Sequence, residues 1–221
     1  MKTGLLAIVF LTSLIIGFLQ LENKKKSEVI KKKMQDRIDI TKRINAINQS
    51  SYNNHKISRL LIAMLEEFQL HNDVQPVLTE TELVEIEKQL YLTLPLSYTL
   101  FLKYFGDGGN WIYANSIGSI RDKSFLSDYR KDLDEEIELD NKKIKVESLL
   151  CLMPEDSNGG AWCWLTSEDT KDGEWPLAYY SISNKKLNYK VQNFTEWLQI
   201  LINSKGEVIR ELDFDDTLGF G

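Results

Sequence analysis

The sequence predicts an α+β domain, an antiparallel sheet packed by helices, that follows an N-terminal transmembrane helix and a stem. Three observations lead to this prediction: an uncharged apolar run at residues 4–21, helical periodicity across residues 57–105, and aromatic and β-branched runs across residues 111–191. Helices followed by strands that are separated by short turns are typical of an α+β domain rather than of an alternating α/β one.

The apolar run at residues 4–21 is long enough to cross a bilayer, because a helix of this length reaches roughly 27 Å at about 1.5 Å per residue. Two lysine triplets follow it, at residues 24–26 and 31–33, whereas only Lys2 precedes it. This bias predicts a single-pass anchor in the cytoplasmic membrane with the C-terminal domain facing the cytoplasm. A cleaved signal peptide is the alternative, but no small-residue cleavage motif follows the run.

Charge divides the rest of the chain. Residues 1–59 are basic, with 12 Lys and Arg against 4 Asp and Glu. Residues 60–221 are acidic, and their excess of Asp and Glu gives the whole chain its net charge of −6. We therefore predict four segments: an anchor at 1–21, a basic and partly helical stem at 22–55, a folded domain at 56–205 and a solvated acidic tail at 206–221. An acidic domain is repelled by anionic lipid and favours basic partners.

Three helices are predicted at the start of the domain. The first covers residues 57–68, where apolar residues recur at helical spacing. The second begins at Thr79, because Thr79 and Glu82 have the spacing of a capping box. The third begins at Pro95 and stops at Gly106.

Extended segments follow these helices. Runs rich in aromatic and β-branched residues predict strands, and they lie at residues 111–120, 144–152, 161–166, 177–182 and 187–191. A closing helix is predicted at residues 194–203, where Phe194, Trp197 and Leu198 begin one apolar face.

The composition argues against an enzyme. The chain has only two histidines, His55 and His71, and both lie in or beside the predicted stem, far in sequence from the strands. Histidine is the commonest general acid or base near neutral pH, so we expect no catalytic residues. Cys151 and Cys163 lack metal-binding spacing, lie in apolar surroundings and would stay reduced in the cytoplasm. We expect no cofactor, no metal and no nucleic-acid partner.

Carboxylates surround tryptophans in the second half of the chain and form the candidate partner-binding surface. Its predicted members are Asp156, Trp164, Glu168, Asp169, Asp172 and Glu174. Tryptophan often anchors protein interfaces, but it is also a core residue, and alternation places Trp162 and Trp164 on one face of their strand. A solvated loop rim and a pair of glycosidase carboxylates are the alternatives for the acids.

The segment IEKQLYLTLPLSYTLFLKYFGDGG, residues 86–109, resembles the signature of the SUKH superfamily. The matching positions of this segment and of the closing helix are Leu94, Pro95, Tyr98, Phe101, Leu102, Asp107, Gly108, Gly109, Phe194, Trp197 and Leu198. The resemblance covers roughly residues 57–203. Two departures occur: residues 121–143 suggest an inserted loop or extra strand, and Tyr91-Leu92 replaces the frequent Leu-Gly, which suggests a differently shaped helix end.

The resemblance implies a function without catalysis. Many bacterial members of the superfamily are inferred to be immunity proteins that bind and neutralise a toxin, and fungal relatives act in cell-wall signalling. We therefore expect a membrane-anchored immunity protein that occludes a cognate toxin, possibly a basic one. An envelope-associated regulator or scaffold is the alternative.

Overall fold

The computed structural model describes residues 2–68, 76–108, 117–130, 133–152, 160–168, 172–181 and 185–204, with side chains from residue 21 onward except that of Phe68. The helices are α1 (Lys2–Gln49), α2 (Lys56–Phe68), α3 (Glu80–Leu90), α4 (Leu96–Tyr104), α5 (Leu126–Tyr129) and α6 (Phe194–Asn203). The strands are β1 (Glu136–Leu139), β2 (Lys142–Lys145), β3 (Leu149–Cys151), β4 (Gly160–Leu165), β5 (Leu177–Ser181) and β6 (Lys186–Val191).

The strands form two antiparallel sheets. The larger has the order β3-β4-β5-β6, and the smaller is the β1-β2 hairpin. Because helices pack against an antiparallel sheet, the predicted α+β class is confirmed.

Strand β4 is covered on both faces. Trp162 and Trp164 face the helices, whereas Cys163 points into a second apolar cluster that the hairpin helps to cover. This confirms the alternation expected along the strand. The sheet is therefore a middle layer between the helices and the hairpin.

The predicted helix signals are found in the structure with small shifts. Thr79 forms the capping box with Glu82 at the start of α3, as predicted. Pro95 is the N-cap residue of α4 rather than its first helical residue, and α4 ends before Gly106. Tyr91, at the departure from the family pattern, ends α3 in the left-handed conformation with φ of 55°.

Helix α1 corrects the boundary drawn between stem and domain. The helix continues to Gln49, and both Ile40 and Ile47 are buried in the same core as α2 and α4. Arg43 donates a hydrogen bond from Nη1 to the carbonyl oxygen of Phe105 at 2.7 Å. The end of the predicted stem therefore packs as part of the folded unit.

Two predicted strands differ from the structure. Residues 144–152 divide into β2, a short 3₁₀ turn at Val146–Ser148, and β3. The described end of the strand predicted at 111–120 contains no strand, since a 3₁₀ turn begins at Ile120, and residues 111–116 lie outside the description. The charged departure at 121–143 supplies the extra strand β1.

No helix in the described part of the chain is long and apolar enough to cross a membrane. The predicted anchor at residues 4–21 has a helical backbone, but its side chains as far as residue 20 lie outside the description. The structure therefore does not support the predicted transmembrane helix. The acidic tail at 206–221 also lies outside the described residues.

Candidate functional site

Glu174, a predicted surface residue, is bonded to the start of α4. Its Oε1 accepts a hydrogen bond from the backbone amide of Ser97 at 2.9 Å, and its Oε2 accepts one from the Ser97 hydroxyl at 2.5 Å. The first amides of a helix have no partner within the helix, and its N-terminus favours negative charge. Glu174 thus caps α4 from a distant part of the chain.

The other predicted acids do not form one described surface. Glu168 forms an ion pair with Lys190 on β6, while Asp172 is exposed. Asp156 and Asp169 lie outside the described residues. Glu168 and Glu174 are both partly buried, so among the described acids of this set Asp172 alone is fully available to a partner.

Trp164 was predicted as a partner-binding residue, and the structure places it in the core. Its side chain is fully buried, and its ring centroid lies 4.5 Å from that of Tyr98 in an edge-on arrangement. A partner cannot reach this ring in the folded domain. The core interpretation left open by the sequence is therefore the correct one.

The family-motif residues form this aromatic core. Tyr98 and Phe101 project from one face of α4 toward Phe194 on α6, with ring centroids 5.1 and 5.3 Å from that of Phe194. Leu94, Pro95, Leu102, Trp197 and Leu198 are also buried. These residues stabilise the fold by burial of apolar surface and by ring packing.

The turn after α4 is held by Asp107. This carboxylate accepts hydrogen bonds from the Ser119 hydroxyl at 2.8 Å and the Ile120 amide at 2.7 Å, and it pairs with Arg121 at 3.0 Å. Gly108 has φ of +77°, and a Cβ there would lie 2.8 Å from the Ser119 amide nitrogen. A side chain at this position would therefore be strained and crowded. Gly109 lies outside the described residues.

A second acidic surface lies on and beside the β1-β2 hairpin, and most of it belongs to the charged segment at residues 121–143. We define the hairpin surface by six exposed carboxylates: Asp134, Glu135, Glu136, Glu138, Asp140 and Glu147. Three exposed lysines accompany them, at positions 142, 143 and 145, so negative charge is in excess. Lysines form long ion pairs with three of the carboxylates: Lys143 with Glu136 at 3.5 Å, Lys145 with Glu147 at 3.5 Å, and Lys186 with Glu138 at 3.7 Å. These pairs are exposed, and exposed ion pairs contribute little to stability.

The hairpin surface borders a cleft of about 520 Å³ at the base of the hairpin. That cleft is lined by carboxylates together with an apolar floor at Leu133 and Val146 and by the cations Arg130 and Lys145. Its mixed lining suits a polypeptide side chain of opposite charge better than a buried apolar ligand.

The sequence contained a signal for this hairpin. Asp140 and Asn141 have φ of 50° and 63°, the two left-handed positions of a type I′ turn. They separate two short runs in which Ile137, Leu139 and Ile144 are buried. The Asp-Asn pair between these alternating runs is the pattern from which the hairpin is predictable.

A smaller cleft of about 390 Å³ lies where the N-termini of α2, α4 and α6 converge. Its wall includes His55, which precedes α2, Lys56 at the start of α2, Glu196 from α6, and Glu174. The Glu196 carboxylate accepts a hydrogen bond from the amide of Gln192, and Glu174 already caps α4. The protein's own carboxylates therefore occupy the positions that an anionic ligand would take.

Lys123 is the other unusual charged group. Its Nζ donates hydrogen bonds to the carbonyl oxygens of Leu152 at 2.6 Å and Gly118 at 3.0 Å, and it lies 5.6 Å from the ring centroid of Trp164. Burial lowers the pKa of this amine from 10.5 to about 7, because the charged form loses hydration.

Comparison with known proteins agrees with the fold and the motif. Residues 80–198 match the family SUKH_6, described as SMI1-KNR4 cell-wall. This range begins with α3 and ends within α6, so it contains the aromatic core and the hairpin, whereas α1 and α2 precede it. No curated protein matches the chain. Because the match covers more than half of the chain and includes the predicted motif, the protein belongs to the SUKH_6 (SMI1-KNR4 cell-wall) family.

Proposed function

We propose that this protein is a non-catalytic binding protein, an immunity protein that neutralises a bacterial toxin by covering its functional surface. The observation that carries the proposal is the exposed excess of carboxylates on the hairpin surface of a SUKH-family domain. This surface replaces the acidic loops around the tryptophans as the candidate interface, because Trp164 is buried and Glu168 and Glu174 are bonded within the domain.

The negative charge of the hairpin surface indicates a basic partner. A toxin that acts on nucleic acid carries Lys and Arg to hold phosphate, and the exposed carboxylates of the hairpin surface offer these cations an alternative partner. Long-range attraction between opposite charges accelerates encounter and is weakened by salt. Inhibition then follows from occlusion, with no bond made or broken.

The shape of the hairpin surface supports the same proposal. The cleft of about 520 Å³ at its base places Glu135 and Glu147 beside the apolar side chains Leu133 and Val146. An arginine or lysine of the partner can lay its aliphatic stem along such a floor while its charge meets the carboxylates. Interfaces combine these two kinds of contact.

Location is a separate part of the proposal and rests on the sequence alone. The apolar run at 4–21 and the lysine triplets after it would hold the domain at the cytoplasmic face of the membrane. A fluorescent tag after Gly221 is expected to be bright in the cytoplasm, and a periplasmic phosphatase at the same position is expected to be inactive. Release of the full chain into the soluble fraction would contradict the anchor.

The test of function is protection. The genes beside this one are searched for a toxin domain, which is expressed in a bacterial host with and without the full chain, and growth is measured. We expect growth to be restored by the chain and by Asp172→Lys, but less well by the double variant Asp134→Lys, Glu135→Lys. Toxicity that persists although the two proteins bind would contradict neutralisation, and failure to bind would contradict the partner.

The alternative is an envelope-associated regulator or scaffold, which the description of the family as cell-wall favours. The two functions differ in what deletion of the gene causes. Loss of an immunity protein sensitises the cell only when the toxin is present, whereas loss of a regulator changes sensitivity to wall-damaging compounds in the absence of any toxin. Growth of the deletion strain in both conditions distinguishes them.

A further inference from the structure

Two buried cysteines lie opposite each other on neighbouring strands of the large sheet. Cys151, in β3, is the register partner of Cys163, in β4, and their Sγ atoms are 3.7 Å apart. Both are free thiols. The proposed interaction with a toxin makes no use of either residue, so their arrangement needs its own account.

The strand register makes this position suitable for a covalent link. The amide of Leu152 donates to the carbonyl oxygen of Trp162 at 2.7 Å, and the amide of Thr166 donates to that of Ser148 at 3.0 Å. These bonds alternate along the strands, so the cysteines occupy a pair without direct hydrogen bonds between them. In such pairs the Cα atoms are about 4.5 Å apart, within the usual range of about 4.4 to 6.8 Å for a disulfide.

The two thiols differ in their surroundings. Cys163 is completely buried, and its hydrogen bond with Cys151 and its burial raise the pKa of its thiol well above the ordinary value. Cys151 is 5% exposed and lies on β3, which is an edge strand of only three residues. Local opening of an edge strand requires less free energy than global unfolding, so Cys151 is the thiol that a small reagent reaches first.

We propose that Cys151 and Cys163, which are reduced in an unstressed cytoplasm, form a reversible disulfide under oxidative conditions by exchange with an oxidised low-molecular-weight disulfide of the glutathione type. The thiolate of Cys151 attacks one sulfur of the small disulfide, and its S–S bond breaks to release one small thiolate. Cys163 then loses its proton and attacks Sγ of Cys151, which releases the second small thiol. The two protein thiols together lose two protons and two electrons, and the small disulfide takes them up and becomes two thiols.

The bond would fasten the edge strand β3 to the central strand β4. β3 also contacts Phe125 through an isolated bridge to Leu150, so the disulfide would stabilise the sheet edge next to the segment that leads to the hairpin. Closing the short loop between the cysteines restricts the unfolded chain, so the oxidised form is expected to melt at a higher temperature than the reduced form.

The test uses the full chain, equilibrated in buffers with increasing ratios of oxidised to reduced glutathione. Each sample is quenched with acid, unfolded, alkylated and analysed by mass spectrometry. We expect the two alkylated thiols to disappear together, giving a species lighter than the reduced chain by two hydrogen atoms and carrying no glutathione. Cys151→Ser and Cys163→Ser, as controls, are each expected to lack this species.

Two results would overturn the proposal. One is a chain that keeps both thiols alkylatable at every ratio, and the other is a chain that gains a stable glutathione adduct or forms linked dimers in place of the internal bond. Both outcomes are independent of toxin binding, because the measurement contains no partner.

Discussion

The acids of the helix–sheet core and those of the hairpin surface are the same residue types in opposite situations. In the core region Glu174 caps α4, Glu168 pairs with Lys190, and Asp107 accepts bonds from the turn that follows α4. On the hairpin the carboxylates are exposed. Glu168 and Glu174 therefore hold the domain together from partly buried positions, whereas the hairpin carboxylates face solvent even where they form ion pairs.

The N-terminus of α4 explains the role of Glu174. The first amides of α4 lack partners within the helix, and Pro95 at the N-cap position offers no side-chain acceptor. A carboxylate from another segment fills this role. The hairpin has no such requirement, because its backbone groups pair across the β1-β2 ladder and its acids remain exposed. Substitutions in the core are therefore expected to reduce stability more than substitutions on the hairpin surface.

The largest effect is expected in the aromatic core. Phe101→Ala removes a completely buried ring that packs against Tyr98 and Phe194, and we expect a loss of about 3 to 5 kcal/mol in the free energy of unfolding. Tyr129→Ala, at an exposed aromatic, is the matched control and is expected to change it by about 0.5 kcal/mol or less. Urea unfolding measures both. Equal stability of the two variants would contradict the packing of α4.

The end of α1 gives the second prediction. Ile47→Ala is expected to cost about 2 to 5 kcal/mol, because Ile47 is fully buried against the domain. Ile30→Ala, on the same helix but 66% exposed, is the control and is expected to have little effect. If both variants unfold at the urea concentration of the parent chain, α1 does not belong to the folded unit and the sequence-predicted boundary after residue 55 is correct.

Glu174 gives the third prediction and compares the two sets of acids directly. Glu174→Ala leaves the amide and hydroxyl of Ser97 without their acceptor, so we expect a loss of about 1 to 3 kcal/mol. Glu138→Ala, on the hairpin surface, is expected to change stability by about 0.5 kcal/mol or less. The melting temperatures of both variants measure the two effects. A larger loss of stability in Glu138→Ala than in Glu174→Ala would show that the hairpin acid, and not the core acid, stabilises the fold.

The pH dependence of stability gives the fourth prediction. Burial lowers the pKa of Lys123 to about 7, although nearby Cys151, Asp107, Cys163 and Asp122 partly oppose the shift. Between pH 7 and 9 the unfolded chain therefore binds more protons than the folded one, so stability is expected to rise with pH by up to about 1.4 kcal/mol per unit. The rise should be absent in Lys123→Met. If the urea concentration at which half of the parent chain is unfolded does not change between pH 7 and 9, the Lys123 amine is hydrated in the folded protein.

Much of the fold was predictable because its signals are local. The capping box at Thr79 and the apolar face that begins at Phe194 depend on residues three or four apart, and the structure has both elements where they were predicted. The burial of Ile40 and Ile47 was not predictable in this way. Apolar residues in a polar helix indicate that one face can be buried, but they do not indicate which element covers that face.

The candidate site was less predictable for the same reason. Trp164 and Glu174 belong to a segment rich in acids. Their partners, Tyr98 and Ser97, lie in α4, far away along the chain. Composition shows that a segment is acidic and aromatic, and it does not show which of its side chains the rest of the fold covers. The hairpin, in contrast, carried a local signal in its Asp140-Asn141 turn.

The smallest effect on stability, and the sharpest test of function, is expected on the hairpin surface. The double variant Asp134→Lys, Glu135→Lys should keep the melting temperature of the parent chain, because both side chains are exposed. Its association with the neutralised toxin should be slower, and the dependence of the rate on salt should be weaker, since long-range attraction is lost. Association rates at two ionic strengths measure both changes.

The control for this variant is Asp172→Lys, which reverses one exposed acid of the surface predicted around the tryptophans. If the hairpin is the interface, this variant should associate at nearly the rate of the parent chain, because its charge lies outside the contact. The opposite ranking, in which Asp172→Lys slows association and the hairpin variant does not, would return the interface to the acidic loops around Asp172. Each result assigns the binding surface to one of the two regions, since both variants are expected to fold.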